Sequence, residues 1–126
     1  MKFLLDTNIF IWFTQGDEKL TDNTRGIIEK NSNEIFLSLV SVWEIAIKYS
    51  LGKLEIQRPF KDYIPGILIK NNIQTLDLNF THIDKMTRLP FYHKDPFDRL
   101  IIAQSIVEHM TLLYSDSTFK LYPLIN

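Results

Sequence analysis

Residues 2–6, KFLLD, and residues 111–116, TLLYSD, are short apolar runs that each close on an aspartate, Asp6 and Asp116. An uninterrupted apolar run of this length reads as a buried strand. If the two strands lie parallel in one sheet, both carboxylates emerge at the same C-terminal edge, where open α/β folds place their binding crevice. Outward from these runs, strand-like and helical patterns alternate. Residues 34–37 and 73–78 (IQTLDL) read as further strands. Helical patterns run from Thr7 and Asn8 through Trp12 and Phe13, from Thr21 to Glu29, and from about Ser41 to Leu51 with Gly52 as the stop. Two more run from Asn79 or Thr81 to Leu89 and Pro90, and from Asp95 and Pro96 to about His109. Pro59 suits the first turn of a pattern through Phe60, Tyr63, Ile64, Ile67 and Leu68, whereas Pro65 in its middle predicts a kink or a split into two. The tail from Phe119 to Ile125 predicts a helical turn and an edge strand. Strands separated by helices imply parallel pairing with right-handed crossovers, an α/β fold class.

The chain of 126 residues suits a single domain, residues 1–126, with a real hydrophobic core. No repeat, low-complexity segment or Pro/Gly/Ser-rich linker marks a boundary. Apolar content of 45% sets it among globular rather than disordered chains. No stretch approaches the roughly 18 apolar residues of a membrane span. The FLL run, with only Lys2 before it, does not read as a signal peptide, so the expected compartment is cytoplasmic. The absence of cysteine excludes disulfides, thiolate zinc sites and thiol catalysis. A net charge of −1 argues against binding nucleic acid through a broad basic field. It leaves open a nuclease that holds phosphate through a metal in an acidic pocket, with local cations among Lys48, Lys53, Arg58, Lys94 and Arg99.

Two further acids fall in apolar helical stretches, Glu44 in SVWEIAIKYSLG and Asp98 in PFDRLIIAQSIV. Each of the four has an ordinary structural reading. Asp6 can cap a helix or start a turn, and Glu44 can pair with Lys48 at i+4. Asp95-Pro96-Phe97-Asp98 has the grammar of a helix start, with Asp95 as cap, proline first and Asp98 third, where the helix dipole favours negative charge. Asp116 can cap the turn containing Phe119. Against these, Glu44 borders a face with Val40, Ile47 and Leu51, where desolvation is costly, and Asp98 shares a face with Ile101, Ile102 and Ser105. Four carboxylates brought together repel one another unless a divalent cation holds them, which points to a metal-dependent enzyme. Asp77, Asp84 and the pair Asp17 and Glu18 read as solvated. His82, His93 and His109 lack mutual ligand spacing, although His93 and Lys94 could meet phosphate. There is no P-loop, GxGxxG, GxSxG or HExxH motif.

LLDTNIFIWF (4–13), VSVWEIAIKYSLGKL (40–54), HKDPFDRLIIAQS (93–105) and LLYSDSTFKLYP (112–123), in this order, resemble a PIN-domain ribonuclease of the VapC toxin type, over Met1 to about Tyr122. The HKDPFDRLIIAQ segment is the most specific piece. The resemblance implies an α/β/α sandwich around a parallel sheet and assigns Asp6, Glu44, Asp98 and Asp116 as the acidic quartet, with Asp95 outside it. It implies hydrolysis of RNA phosphodiester bonds with Mg²⁺ or Mn²⁺, with Asp6 and Asp98 as the expected direct ligands and Glu44 and Asp116 binding through water, orienting the nucleophile or holding a second ion. It also implies a homodimer and a cognate antitoxin whose C-terminal segment enters the acidic groove. Trp12, Phe13, Trp43 and the aromatics of 60–64 are candidate anchors for either contact, or core residues. Tyr114 stands where threonine is frequent, which leaves open whether Ser115 or Ser117 orients Asp116, and Ser105 stands where alanine is common. The free site should show raised carboxylate pKa values. Two other classes remain: a phosphoacceptor domain, which would want adjacent acids early and a lysine after a late strand, and a non-catalytic module on the same fold, which loss of an acid would favour.

Overall fold

A computed structural model describes residues 1–125. Strands β1 (Lys2–Leu5), β2 (Glu34–Ser38), β3 (Ile73–Leu76) and β4 (Thr111–Leu113) form one all-parallel sheet in the order β3-β2-β1-β4. Leu5 of β1 stands opposite Leu37 on one side and Leu113 on the other. From β1 the chain builds outward through β2 and β3, then returns to place β4 on the opposite side. The order therefore reverses between β1 and β4, and the crevice beyond their C-terminal ends is the switch point that favours ligand binding.

Successive strand side chains point to opposite faces. Phe3, Leu5, Ile35 and Leu37 pack with α1 (Thr7–Gln15), α2 (Asp22–Glu29) and α4 (Phe60–Lys70), through Phe10, Phe13, Ile28 and Ile64. Leu4 and Leu112 pack against α6 (Pro96–Val107) and a closing 3₁₀ helix (Ser117–Leu121), through Ile101, Ile102 and Phe119, with Met86 of α5 (Phe80–Thr87) at the margin. Helix α3 (Leu39–Ser50) serves both cores, sending Ile45 to the first and Val40 to the second. The result is a three-layer α/β/α sandwich. Coverage on both faces is why β1 and β4 read as unbroken apolar runs rather than alternating ones.

Element ends depart from the sequence expectation for local reasons. Helix α3 starts at Leu39 because Ser38 caps it, its Oγ accepting the Val40 N–H at 3.0 Å. Helix α4 continues through Pro65 instead of splitting. Only the bond to the Lys61 carbonyl is forfeited, and both residues are exposed, so water can hydrate that carbonyl. Helix α6 ends at Val107, where His109 takes φ 54° and the Met110 and His109 N–H groups return to the Ser105 and Ile106 carbonyls at 2.9 and 3.3 Å. Strand β3 stops at Leu76 and β4 at Leu113. The expected edge strand after Phe119 does not form among the described residues. Pro123 has no N–H for a ladder, and Tyr122 is buried in the second core. Among the described residues, no helix is long and apolar enough to cross a membrane.

Candidate functional site

Asp6 leaves β1 with its amide bonded to the Leu113 carbonyl at 2.9 Å and caps α1, Oδ1 accepting the Ile9 N–H at 2.7 Å. Its second oxygen accepts the Ser115 N–H at 2.9 Å and the Ser115 hydroxyl at 3.4 Å. The capping reading is thus correct and incomplete, because one oxygen caps while the other joins the adjacent strand end. The Thr7 hydroxyl donates to Ser41 Oγ at 3.1 Å and ties α1 to α3 one turn before Glu44. The Glu44 side chain is 15% exposed and lies 3.8 Å from Lys48 Nζ. Asp95 caps α6 by accepting the Asp98 N–H at 2.9 Å. Asp98 is partly buried, with Oδ2 3.9 Å from His93 Nε2. Asp116 caps the 3₁₀ helix, accepting the Thr118 N–H at 2.9 Å. Asp6, Glu44, Asp98 and Asp116 all line one cleft of about 220 Å³, with Asp95 and Lys48 at its wall.

The acids sense one another. Burial pushes Asp98 up from 3.8 to about 7, and the charges of Asp95, Glu44, Asp6 and Asp116 add to it. Burial likewise raises Asp6 to about 6, opposed by its bonds from Ile9 and Ser115 and reinforced by Glu44. Asp116 goes the other way. The Thr118 amide and hydroxyl hold its carboxyl below the ordinary range, and His93 adds to this. The expectation of raised values is therefore corrected at Asp116, which sits at the solvent-facing rim. The question of which hydroxyl orients the last acid also resolves, since Ser115 serves Asp6 and Thr118 serves Asp116.

Two buried side-chain polar atoms have no hydrogen-bond partner among the described residues, Glu44 Oε1 and His93 Nε2. Both belong to this constellation. The orphaned Glu44 oxygen beside clustered carboxylates fits a hydrated cation, and all-oxygen donors suit Mg²⁺ or Mn²⁺. Among the described residues, no three acidic or imidazole side chains stand together so as to hold one metal ion. Another hollow, of about 260 Å³, is lined by Lys30, Lys70 and four asparagines, with Glu29 as its one acid.

Of the cations considered for phosphate, only Lys48 lines the cleft. Lys94 is exposed beside Asp95, and Arg58 lines a separate hollow with Tyr63 and Lys70. Arg99 is corrected outright, being buried and donating to the Pro90, Met86 and Leu89 carbonyls at 2.8, 3.0 and 3.2 Å. Among the candidate anchors, Phe13 is core, whereas Trp43 is 59% exposed and meets Phe97 edge-on at 5.0 Å. Neither the approach of His93 to Asp98 nor the bond from Ser115 to Asp6 is legible in the local sequence pattern. The only signal for His93 was its place in the loop two residues before Asp95.

A family model described as "PIN domain" matches residues 3–123. Ribonuclease VapC16 of Mycobacterium tuberculosis (strain ATCC 25618 / H37Rv) is 38% identical over 61 residues, covering 48% of this chain and 43% of that protein. The matched segment thus spans less than half of that relative. A chain in the crystal structure of VapBC2 from Rickettsia felis, bound to a DNA fragment from their promoter, superposes with a TM-score of 0.72 at 20% identity. The superposition covers 99% of this chain and 96% of that one, and at this identity it speaks for the fold. With the family model covering nearly the whole sequence and the sandwich shared end to end, the chain belongs to the PIN domain family.

Proposed function

We propose that this chain is a divalent-metal-dependent endoribonuclease of the VapC type, the toxin of a toxin–antitoxin pair. The single observation that carries the reading is the convergence of Asp6, Glu44, Asp98 and Asp116 on one cleft at the switch point of the sheet. Similarity to Ribonuclease VapC16 supports the ribonuclease part, and the VapBC2 complex supports a partner antitoxin. A cytoplasmic homodimer acting on RNA completes the proposal.

Asp6 and Asp98 would hold Mg²⁺ or Mn²⁺ directly, with Glu44 and Asp116 engaging it through water. Bound there, the ion supplies an activated water and positive charge against the charge that builds up on the phosphate. The chain's own residues prepare the site. Ser115 and the α1 amide hold Asp6 in one orientation before anything binds. Burial and the neighbouring acids raise Asp98 to about 7, so it is ionised at pH 8 and partly protonated at neutral pH, where loading the site would displace that proton. Lys48 neutralises part of Glu44 at the wall and would meet an RNA phosphate oxygen.

The test is cleavage of RNA by purified protein with Mg²⁺ or Mn²⁺, with EDTA, and with Asp6→Asn and Asp98→Asn. Chelation should abolish cleavage, and each substitution should lower it by at least about a hundredfold. Full activity in both variants would defeat the site assignment. The phosphoacceptor alternative loses ground because Asp6 has no acidic neighbour in sequence, and the non-catalytic alternative because all four acids are present.

A further inference from the structure

We infer that His93 is a positioning residue for the acid cleft: Tyr122 fixes its Nε2–H as a donor for Asp98, so that the carboxylate is aimed at the cation the site takes. This rests on the metal-dependent reading above. The imidazole packs against the rings of Phe119 and Tyr122, at 5.5 and 5.3 Å between centroids. Tyr122 Oη is 3.2 Å from the His93 amide nitrogen and 3.2 Å from Nδ1. The amide N–H can only donate, so it uses one lone pair of the phenol. Were the ring proton on Nδ1, the phenol would accept twice and its own hydrogen would have no acceptor. Nε2 would then also present a lone pair to the Asp98 carboxylate 3.9 Å away. With the proton on Nε2, the phenol donates to Nδ1 and an N–H faces an anion. Opposite an ionised Asp98, both ends of the ring favour a proton on Nε2.

Nε2 is shut off from solvent and without a partner among the described residues, so it is not a group that touches RNA. The acid it approaches is Asp98. At 3.9 Å the contact is longer than a hydrogen bond, and about 1 Å of carboxylate movement closes it, the kind of tightening that ligand binding brings to loose free-state geometry. Outer partners of this type fix the orientation of metal-binding side chains.

The experiment is Mn²⁺ binding to the RNA-free protein by titration calorimetry at pH 8, with thermal melting of each variant in EDTA. His93→Phe keeps a ring against Phe119 and Tyr122 but has no donor, and should weaken Mn²⁺ about tenfold to a hundredfold. His93→Gln, whose amide nitrogen reaches a similar place, should recover most of that loss. Tyr122→Phe, which releases the tautomer while keeping the ring, should fall between. Parent-like affinity in both His93→Phe and Tyr122→Phe overturns the inference, as does a His93→Gln protein as weak as His93→Phe, since packing alone would then explain the effect. If His93→Phe does not fold, Tyr122→Phe decides alone. A parent that binds no Mn²⁺ brings down the metal-dependent reading and this inference together. Loss of binding in Asp98→Asn with full binding in the His93 variants brings down only this one.

Discussion

Replacing Asp98 by asparagine should stabilise the cation-free protein at pH 8 while it disables the site. Burial and four neighbouring carboxylates push Asp98 from 3.8 to about 7 in the folded chain. A carboxyl with its folded pKa above the unfolded value binds protons more tightly when folded. Its contribution is therefore fullest at low pH, declines as pH rises from about 4 to 7, and is flat above that. Three units at about 1.4 kcal/mol each amount to about 4 kcal/mol. The Asp98 side chain is 26% exposed. Water at the cleft mouth relieves part of this burial and repulsion and leaves about 2–3 kcal/mol. Asparagine keeps the shape and hydrogen-bonding capacity without the charge, and the Asp95 cap on the amide of position 98 is untouched. Circular dichroism melts in EDTA should show Asp98→Asn more stable than the parent by about 10 °C at pH 8 and equal to it near pH 4. Added Mn²⁺ should reverse the order at pH 8, because only the parent gains binding free energy. A variant that melts at or below the parent at pH 8 in EDTA, or that keeps the parent's slope between pH 4 and 7, would refute the claim that burial and the neighbouring acids disfavour the ionised carboxyl.

Two further outcomes follow from neighbouring contacts. Asp95→Ser should keep the α6 cap and the melting temperature while lowering the Asp98 titration midpoint, read by carbon NMR of the carboxyl groups, whereas Asp95→Ala should cost about 1 kcal/mol of stability. Arg99→Leu leaves three carbonyls without their donor and should lower stability by about 3 kcal/mol in urea unfolding, with no rescue by Arg99→Lys, because a single ammonium cannot span Met86, Leu89 and Pro90.

Local grammar carried the reading of the elements far. The DPFD turn separated a structural cap, Asp95, from Asp98, and the structure shows that cap with its 2.9 Å bond. The apolar run of β1 and the acid after it were equally plain. Where the reading slipped, the deciding partner lay outside the pattern. Pro65 was weighed as a helix breaker, but its exposure makes the missing bond inexpensive. Arg99 reads in sequence as a local cation for phosphate, yet it is buried and closes the end of α5. Asp116 was expected to share the raised pKa values of a crowded site, yet it stands in solvent with Thr118 on its oxygen.

From sequence alone came the α/β alternation, the two acids at strand ends and the two on apolar helix faces, because caps, turns and burial periodicity act within three or four residues of chain. Tertiary structure decided the strand order that seats β1 between β2 and β4, the bond from Ser115 to an aspartate 109 positions away, and the Tyr122 hydroxyl that grips His93 across 29. Such contacts depend on which surfaces pack together after chain closure, and a partner at that separation leaves no period in the sequence by which to recognise it.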